Sequence, residues 1–396
     1  MSEIVRVASF RTLAGVRRTE EDLQQREHFG VREQDMVAVG SIAVYGAYGH
    51  TGRFVVAELR RRGHVPLLLG RDRDKLRALA RDQPDLETRQ ASVDDPASLD
   101  RALEGAVALI NTAGPFALTA GPVIEAALRA GIPYVDVAAE IEANVDTFAH
   151  FAARARAAGT VVVPAMAFYG GLGDLLVTAA MGDWTTADEV HVAYGLSSWH
   201  PTEGTLAAGA VSARRRGGRR VRFTGGRLQY HDDPLPTLEW PFPTPLGPQR
   251  VIGEFTMADV VTVPSHLAVP EVRTYMAAKA ASDLLSADPT ALTGVDERGR
   301  SAQTFVVDVL VRSGDAKRRV TATGQDIYAT SAPLAVEAVD RVLTGRTRAT
   351  GVVSAGAAFD ARDFLDALSA HLTLHGPADT RTACLSDDGR PGAHAG

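Results

Sequence analysis

The first part of the chain alternates short apolar runs with segments whose apolar residues recur at helical spacing. Short runs bounded by glycine or aspartate are typical of buried strands, and the segments between them carry one apolar side, as in Phe54, Val55 and Leu59. Strands are predicted at 42–45, 65–69, 87–93, 107–111, 134–137 and 160–163. This alternation predicts an α/β fold, a doubly wound parallel sheet of the Rossmann type.

The pattern changes after Gly173. Strand-like segments now follow one another with few helices between them, which predicts a second α+β domain built on an antiparallel sheet. These segments lie at 189–196, 219–228, 251–256, 304–312 and 318–323. The proline-rich stretch 232–248 is predicted to cross the surface as a loop, and 332–343 to form a helix that returns to the first domain.

The chain has 396 residues, enough for two domains with separate cores. The predicted parts are an N-terminal extension (1–38), a nucleotide-binding domain (39–173), a substrate domain (174–330), a C-terminal helical return (331–374) and a mobile tail (375–396).

Three glycines follow the first predicted strand, in the sequence GAYGHTG at Gly46, Gly49 and Gly52. Glycines here permit a tight turn and let a pyrophosphate approach the free N–H groups of the next helix. The spacing is G-x-x-G-x-x-G, which departs from the dinucleotide fingerprint G-x-G-x-x-G. The pattern therefore indicates a phosphate loop, with an ordinary glycine-rich βα turn as the alternative.

The end of the second strand favours NADP over NAD. An NAD enzyme usually has an acidic residue there for the ribose hydroxyl, whereas this chain has Gly70 and Arg71. A guanidinium suits the 2′-phosphate of NADP. Asp72 fits better as a helix cap, and the alternative for Arg71 is a solvated loop charge.

The fourth strand ends in the sequence NTAGPF, at 111–116. Ligands of a doubly wound sheet lie beyond the carboxyl ends of its strands. We therefore expect this turn to pass beneath the ribose and nicotinamide, although it could also be a plain exit from the strand.

These motifs, with GRDRDKL at 70–76 and the segment 121–140, resemble the NADP-binding domain of the saccharopine dehydrogenase-like oxidoreductases. The segments SSWHPTEGT (197–205), GQDIYATSAPLAVEA (324–338) and AFDARDFLDAL (358–368) are similar to bacterial members of that group. The resemblance covers about 41–372. The family includes enzymes that reduce imines and trans-acting enoyl reductases, so the resemblance implies the fold and the cofactor more strongly than the substrate.

The resemblance also implies which residues contact the dinucleotide. The expected phosphate contacts are Gly46, Tyr48, Gly49, His50, Thr51 and Gly52. Arg71 would meet the 2′-phosphate, and Ser92, Val93 and Asp94 would lie near the adenine. The nicotinamide side would be formed by Thr112, Ala113, Gly114, Pro115 and Phe116.

Hydride chemistry needs a proton as well, and three residues are candidate donors. Tyr169 and Asp174 follow the sixth strand and could line the cleft, although Asp174 could instead cap the next helix. His200 could face the substrate, but a lone histidine before a proline is more often structural. Tyr275 and Lys279 have the Y-x-x-x-K spacing of short-chain dehydrogenases, yet they lie too far along the chain for that role and are interpreted as neighbours on one helix.

Composition and residue pattern argue against several kinds of partner and site. A net charge of −6 argues against a nucleic-acid partner. One cysteine, Cys384, excludes an intramolecular disulfide, and the scattered histidines favour no metal site. No apolar run approaches the roughly 18 residues of a membrane span, and no signal-like segment is evident, so a cytoplasmic location is expected. Six arginines at 214–222 are interpreted as a solvated turn, or as a surface for a carrier protein or anionic substrate.

The sequence as a whole predicts an NADP-dependent reductase that transfers hydride from NADPH to an imine C=N or activated enoyl C=C bond. The substrate would be small or carrier-bound, and the protein could be a homodimer. Two alternatives stay open: a non-catalytic NADP-binding sensor, and a partner-dependent protein that docks through the arginine cluster and the N-terminal arm.

Overall fold

Residues 40–381, apart from 82 and 286–292, are described by a computed structural model. The predicted N-terminal extension (1–38) and the end of the predicted tail (382–396), with Cys384, lie outside the described residues. The described part of the chain forms two β-sheets with helices packed against them.

Six parallel strands form most of the first sheet in the described part of the chain. They are β1 (Ser41–Tyr45), β2 (Pro66–Gly70), β3 (Thr88–Gln90), β4 (Ala106–Asn111), β5 (Tyr134–Asp136) and β6 (Val161–Val163). Their spatial order is β6-β5-β4-β1-β2-β3, so the direction of winding reverses between β1 and β4. All neighbours are parallel, which confirms the predicted doubly wound sheet.

Helices connect these strands and follow the last one. They are α1 (His50–Arg61), α2 (Arg73–Arg81), α3 (Pro96–Ala102), α4 (Phe116–Ala130), α5 (Ile141–Ala157) and α6 (Gly173–Met181). The carboxylate of Asp95 accepts a hydrogen bond from the backbone N–H of Ser98, and Pro96 opens α3. This is the start signal that the sequence contains, since a capping acid and a first-turn proline both favour a helix N-terminus.

The second sheet contains nine strands among the described residues and is mixed, so the prediction of an antiparallel sheet is only partly right. Eight of them are β7 (Glu189–Leu196), β8 (Arg220–Thr224), β9 (Arg227–His231), β10 (Thr237–Pro241), β11 (Pro248–Gly253), β12 (Glu271–Ala277), β13 (Thr304–Ser313) and β14 (Ala316–Gln325). Strands β7 and β12 run parallel. A parallel pair needs a long crossover, which the chain between them supplies.

Two further strands come from the C-terminal part of the chain. Strand β15 (Gly351–Val352) pairs in parallel with β6 and extends the first sheet. Strand β16 (Leu372–Arg381) pairs with β14, so the boundary predicted for the tail at 375 falls inside a strand. The predicted loop 232–248 likewise contains β10, and the predicted strand 219–228 is divided between β8 and β9.

Six more helices are described after residue 200. They are α7 (Glu203–Arg215), α8 (Asp259–Thr262), α9 (Ala278–Leu285), α10 (Ile327–Leu343), α11 (Ala355–Ala358) and α12 (Ala361–Ala367). Helix α10 contains the predicted helix 332–343 and packs against α1. Tyr275 lies in β12 and Lys279 in α9, so they are not neighbours on one helix as the sequence suggested.

A buried charge network fastens α10 to α1. The Arg62 guanidinium lies 2.5 Å from a carboxylate oxygen of Glu337, 2.9 Å from Asp340 and 2.8 Å from Glu58. Glu58 and Glu337 are buried, so each needs an opposite charge, which Arg62 supplies together with Arg61 at Glu58 and Arg341 at Glu337. The network therefore fixes the helix that follows the glycine loop.

Candidate functional site

A cavity of about 1280 Å³ opens at the carboxyl ends of the first sheet's strands and continues to residues of the second half of the chain. Its walls include the loops after β1, β2, β4 and β5, where the winding reverses and ligands of such sheets bind. Many predicted site residues line it together: Gly46, Tyr48, Gly49, His50, Thr51, Arg71, Val93, Thr112, Ala113, Gly114, Phe116 and Tyr169.

The glycine loop forms a cradle that larger residues would fill. Gly46 has a φ of +88°, and a Cβ placed on it would lie 2.9 Å from the backbone nitrogen of Ala113. A Cβ on Gly52 would lie 2.2 Å from the carbonyl oxygen of Gly46. Gly49 precedes α1 and offers no side-chain cap, and the first turn has no acidic residue. The free N–H groups of this helix N-terminus suit a pyrophosphate. Gly52 thus shapes the loop, although it is not on the cavity wall.

Positive charge gathers beside Tyr48 at the end of β2. The Tyr48 ring packs on Gly70, where a Cβ would lie 2.5 Å from the ring, and its hydroxyl accepts a hydrogen bond from the backbone of Asp72. The Lys75 ammonium lies 5.8 Å from the centre of this ring. Arg71 is exposed on the same wall, and within the described residues no carboxylate pairs with it. The carboxylate of Asp72 accepts from the backbone nitrogens of Asp74 and Lys75, which confirms its role as a cap.

Of the three residues predicted to lie near the adenine, only one lines the cavity. Val93 lines the cavity, whereas Ser92 and Asp94 do not. The Ser92 hydroxyl and the Asp94 backbone hydrogen-bond to each other, and the Ser92 backbone nitrogen donates to Ser98. These two residues therefore shape the turn after β3 that presents Val93.

The loop after β4 lies on the other side of the winding reversal from β2, and hydrogen bonds hold it in place. The backbone nitrogen of Thr112 donates to Tyr45 at 2.8 Å, and that of Ala113 donates to the side chain of Asn111 at 3.0 Å. Pro115, which follows a cis peptide bond, lies off the cavity wall. The backbone nitrogen of Phe116 donates to the carboxylate of Glu140 at 2.8 Å.

Glu140 is a site residue that sequence reasoning missed. It follows β5, lines the cavity and is only 7% exposed. Burial raises the pKa of its carboxyl group to about 7. The available signal was its position: it ends the segment 121–140 that carries the family resemblance, just beyond the carboxyl end of a strand.

The structure places the three predicted proton donors in different surroundings. Tyr169 lines the cavity, and burial raises the pKa of its hydroxyl well above the usual value. That hydroxyl has no hydrogen-bond partner among the described residues. Asp174 is fully buried away from the cavity, where its carboxylate binds His266 at 2.7 Å and the backbone nitrogen of Gly356 at 2.7 Å. His200 is exposed and off the cavity wall. The structure therefore brings Tyr169, but not Asp174 or His200, to the cavity wall.

Tyr328, which the sequence did not single out, joins distant parts of the site. Its hydroxyl accepts hydrogen bonds from the Trp199 indole at 3.3 Å and from the Thr202 backbone at 3.2 Å. Its ring meets that of His50 edge-on, with centroids 5.2 Å apart. Burial lowers the pKa of His50, so this imidazole is favoured in its neutral form. Residues from both halves of the chain thus close the cavity.

The arginine cluster is mostly engaged in local contacts. Arg215 pairs with Asp146 at 2.8 Å, and Arg216 pairs with Glu142, which ties the end of α7 to α5. Arg220 donates to the backbone carbonyls of 232 and 233. Arg216 and Arg220 also line the cavity, so two members of the cluster contribute guanidinium groups to its wall.

Across residues 40–381 with their gaps, no helix is long and apolar enough to cross a membrane. The same residues contain no group of three or more His, Cys, Asp or Glu side chains placed to hold a metal ion. The cytoplasmic location stays a prediction.

Comparison with known proteins agrees with this site. Residues 42–163 match the family model described as the saccharopine dehydrogenase NADP binding domain. A saccharopine dehydrogenase-like oxidoreductase of Bos taurus is 32% identical over 117 residues, which are 25% of this chain and 27% of the bovine protein. A probable mitochondrial saccharopine dehydrogenase-like oxidoreductase of Arabidopsis thaliana is 30% identical over 145 residues, or 33% of this chain and 32% of the plant protein. The matches thus span about a third or less of these relatives.

Among solved structures, the apo histidine-tagged saccharopine dehydrogenase (L-Glu forming) of Saccharomyces cerevisiae is similar in fold, with a TM-score of 0.57 at 13% identity. The similarity covers 85% of this chain and 99% of the yeast chain. The glycine cradle and the positive wall beside it fit the cofactor of the matching domain. Residues 42–163 are therefore similar to the saccharopine dehydrogenase NADP binding domain, and this match supports the predicted resemblance over that part of the chain and the NADP cofactor.

Proposed function

We propose that the protein is an NADPH-dependent reductase that acts on a C=N or an activated C=C bond of a small or carrier-bound metabolite. The observation that carries this proposal is the continuity of the cavity. It runs from Arg71, past the glycine loop and the loop 112–116, to side chains contributed by the second half of the chain. A cofactor and an acceptor could therefore lie end to end in one space.

The first half of the cavity supplies the cofactor contacts. The N-terminus of α1 and the glycine loop would hold the pyrophosphate, and Arg71 with Lys75 would hold the 2′-phosphate. The rigid loop 112–116 would support the nicotinamide side. When bound, NADPH supplies the hydride for the reaction.

The second half of the cavity is suited to an acceptor with an apolar body. Phe255, Met257 and Leu235 line the cavity, and so do Arg216 and Arg220. Apolar walls exclude water from the reacting bond, while a few polar groups fix the orientation of a ligand. This arrangement supports a substrate that carries both an apolar portion and an anionic or strongly polar one.

The proposal is tested by screening acceptors with the purified protein. Loss of NADPH absorbance is followed with two panels, one of cyclic imines and one of enoyl thioesters, each with apolar and anionic members. We expect one panel to oxidise NADPH and the other to leave it unchanged. NADPH binding without oxidation by either panel would contradict the reductase proposal and support a sensor.

A further inference from the structure

We propose that Glu140 is the proton donor of the reaction and that its carboxyl group faces the nicotinamide of the bound cofactor. This inference rests on the proposed function and assigns a role to a residue outside the motifs that bind the phosphates. Three features of the structure carry it: the attachment of Glu140 to the loop after β4, its burial at the cavity wall, and the charges around it.

The attachment places Glu140 on the nicotinamide side. Strands β4 and β5 are neighbours on the side of β1 opposite to β2, which carries Arg71. A dinucleotide that spans the winding reversal places its adenosine over β2 and its nicotinamide over β4 and β5. The Glu140 carboxylate is bound to the Phe116 backbone at the end of the β4 loop, and both residues line the cavity.

Burial gives this carboxyl group the proton affinity that a donor near neutral pH needs. Loss of water contact raises the pKa of Glu140 to about 7, and hydrogen bonds from the backbone of Phe116 and of Glu140 itself oppose the rise. The neighbouring carboxyl groups of Asp136 and Glu142 raise the pKa further. A general acid works best when its pKa lies near the working pH.

The charged neighbours of Glu140 have partners of their own. Asp136 accepts hydrogen bonds from the Tyr134 hydroxyl and from two backbone nitrogens. Glu142 pairs with Arg216 on α7 and with Ser212. No cation pairs with Glu140 among the described residues, so its proton is left available to a ligand in the cavity.

The other titratable groups on this wall fit the role less well. The hydroxyl of Tyr169 has a pKa well above its usual value, because burial disfavours the phenolate that proton donation would leave. The His50 imidazole has a lowered pKa and is therefore mostly without the extra proton that it would have to donate.

The step balances with one hydride and one proton. The electrophilic carbon of the acceptor takes the hydride as its π bond opens, and the electron pair of that bond takes the proton from the Glu140 carboxyl at the other atom. The acceptor is reduced by two electrons, the cofactor is oxidised by two, and Glu140 is left as a carboxylate. Water returns the proton when the product leaves.

A binding measurement tests this assignment without a known substrate. An ionised Glu140 would attract the positively charged nicotinamide of NADP+ but not the neutral ring of NADPH. The Kd of NADP+ divided by that of NADPH should fall about tenfold as the pH rises from about 5.5 to about 8. Titration of the 2′-phosphate affects both nucleotides alike and cancels in this ratio.

Two variants make the test specific. Glu140→Gln keeps an oxygen that can accept from Phe116 but cannot ionise, so the ratio should become independent of pH. Glu142→Gln removes a similarly buried carboxylate from the first turn of α5 and should keep a pH-dependent ratio, with its midpoint at lower pH because Glu142 helps to raise the pKa of Glu140. A constant ratio in the wild type, or a pH dependence that persists in Glu140→Gln, would overturn the inference while NADPH binding stands. Loss of binding of both nucleotides in the wild type would instead overturn the proposed function.

Discussion

The glycine at position 52 provides a strict test of the loop geometry. It lies in the first turn of α1, where alanine would ordinarily stabilise a helix by about 0.5–1 kcal/mol. Here a Cβ would lie 2.2 Å from the Gly46 oxygen and 3.0 Å from backbone atoms of Ala47, well inside the contact distance of about 3.5 Å. Because the obstacle is backbone, the loop must shift, at a cost of about 1–3 kcal/mol.

Gly52→Ala should therefore lower the free energy of unfolding by up to about 2.5 kcal/mol after the helical gain is subtracted. It should also weaken NADPH binding at least about tenfold, because the N–H groups at the start of α1 would move. Urea unfolding without cofactor and fluorescence titration with NADPH measure the two effects.

The matched control is Gly209→Ala, in the interior of α7. A Cβ there would meet no described heavy atom within 4 Å outside the helix's own backbone, so this variant should be about 0.5–1 kcal/mol more stable than the wild type. If Gly52→Ala were as stable as Gly209→Ala and bound NADPH as the wild type does, the cradle described above would be wrong.

Arg62→Ala, with Arg60→Ala as its control, and His266→Gln test two groups of charged contacts. Arg62→Ala should cost about 1–3 kcal/mol, because it removes one cation from the buried Glu58 and Glu337 but leaves Arg61 and Arg341 beside them. Arg60→Ala removes only exposed contacts with Asp85 and Gln83 and should cost less than about 1 kcal/mol. Equal losses in urea unfolding would contradict this. Burial opposes protonation of His266, but contact with Asp174 outweighs burial and raises its pKa. The ion pair between His266 and Asp174 therefore stabilises the fold at low pH, and this contribution is lost as the pH rises through the raised pKa of His266. His266→Gln should lower the melting temperature more at about pH 5.5 than at about pH 8.5, and a pH-independent loss would refute the ion pair.

The parts of the fold that local sequence encodes were predictable. The six strands of the first sheet and the capped start of α3 follow from apolar periodicity and from residues such as Asp95 and Pro96. Strand direction in the second sheet was not predictable, because periodicity shows which residues form a strand but not which strand pairs with it. The parallel pairing of β7 with β12 depends on residues far apart in the chain.

The candidate site divides in the same way. The glycine loop and Arg71 lie within one βαβ unit, so their spacing indicates their role. Tyr328 reaches the cavity from α10. Its segment 324–338 carries part of the family resemblance, but no local pattern indicates that this side chain lines the site. Asp174 lies in the first turn of α6, but its side chain does not cap that helix, and its carboxylate instead contacts His266, which lies 92 residues later. Such contacts depend on tertiary packing, which local sequence does not reveal.

The central claim, that Arg71 selects NADPH by binding its 2′-phosphate, is tested most directly by comparing the Kd of NADPH and NADH for the wild type, Arg71→Ala and Arg73→Ala. Arg73 is a neighbouring arginine that does not line the cavity. We expect the wild type and Arg73→Ala to prefer NADPH by about tenfold or more, and Arg71→Ala to lose most of this preference while its affinity for NADH is unchanged. Equal affinities in the wild type, or an unchanged preference in Arg71→Ala, would contradict the account.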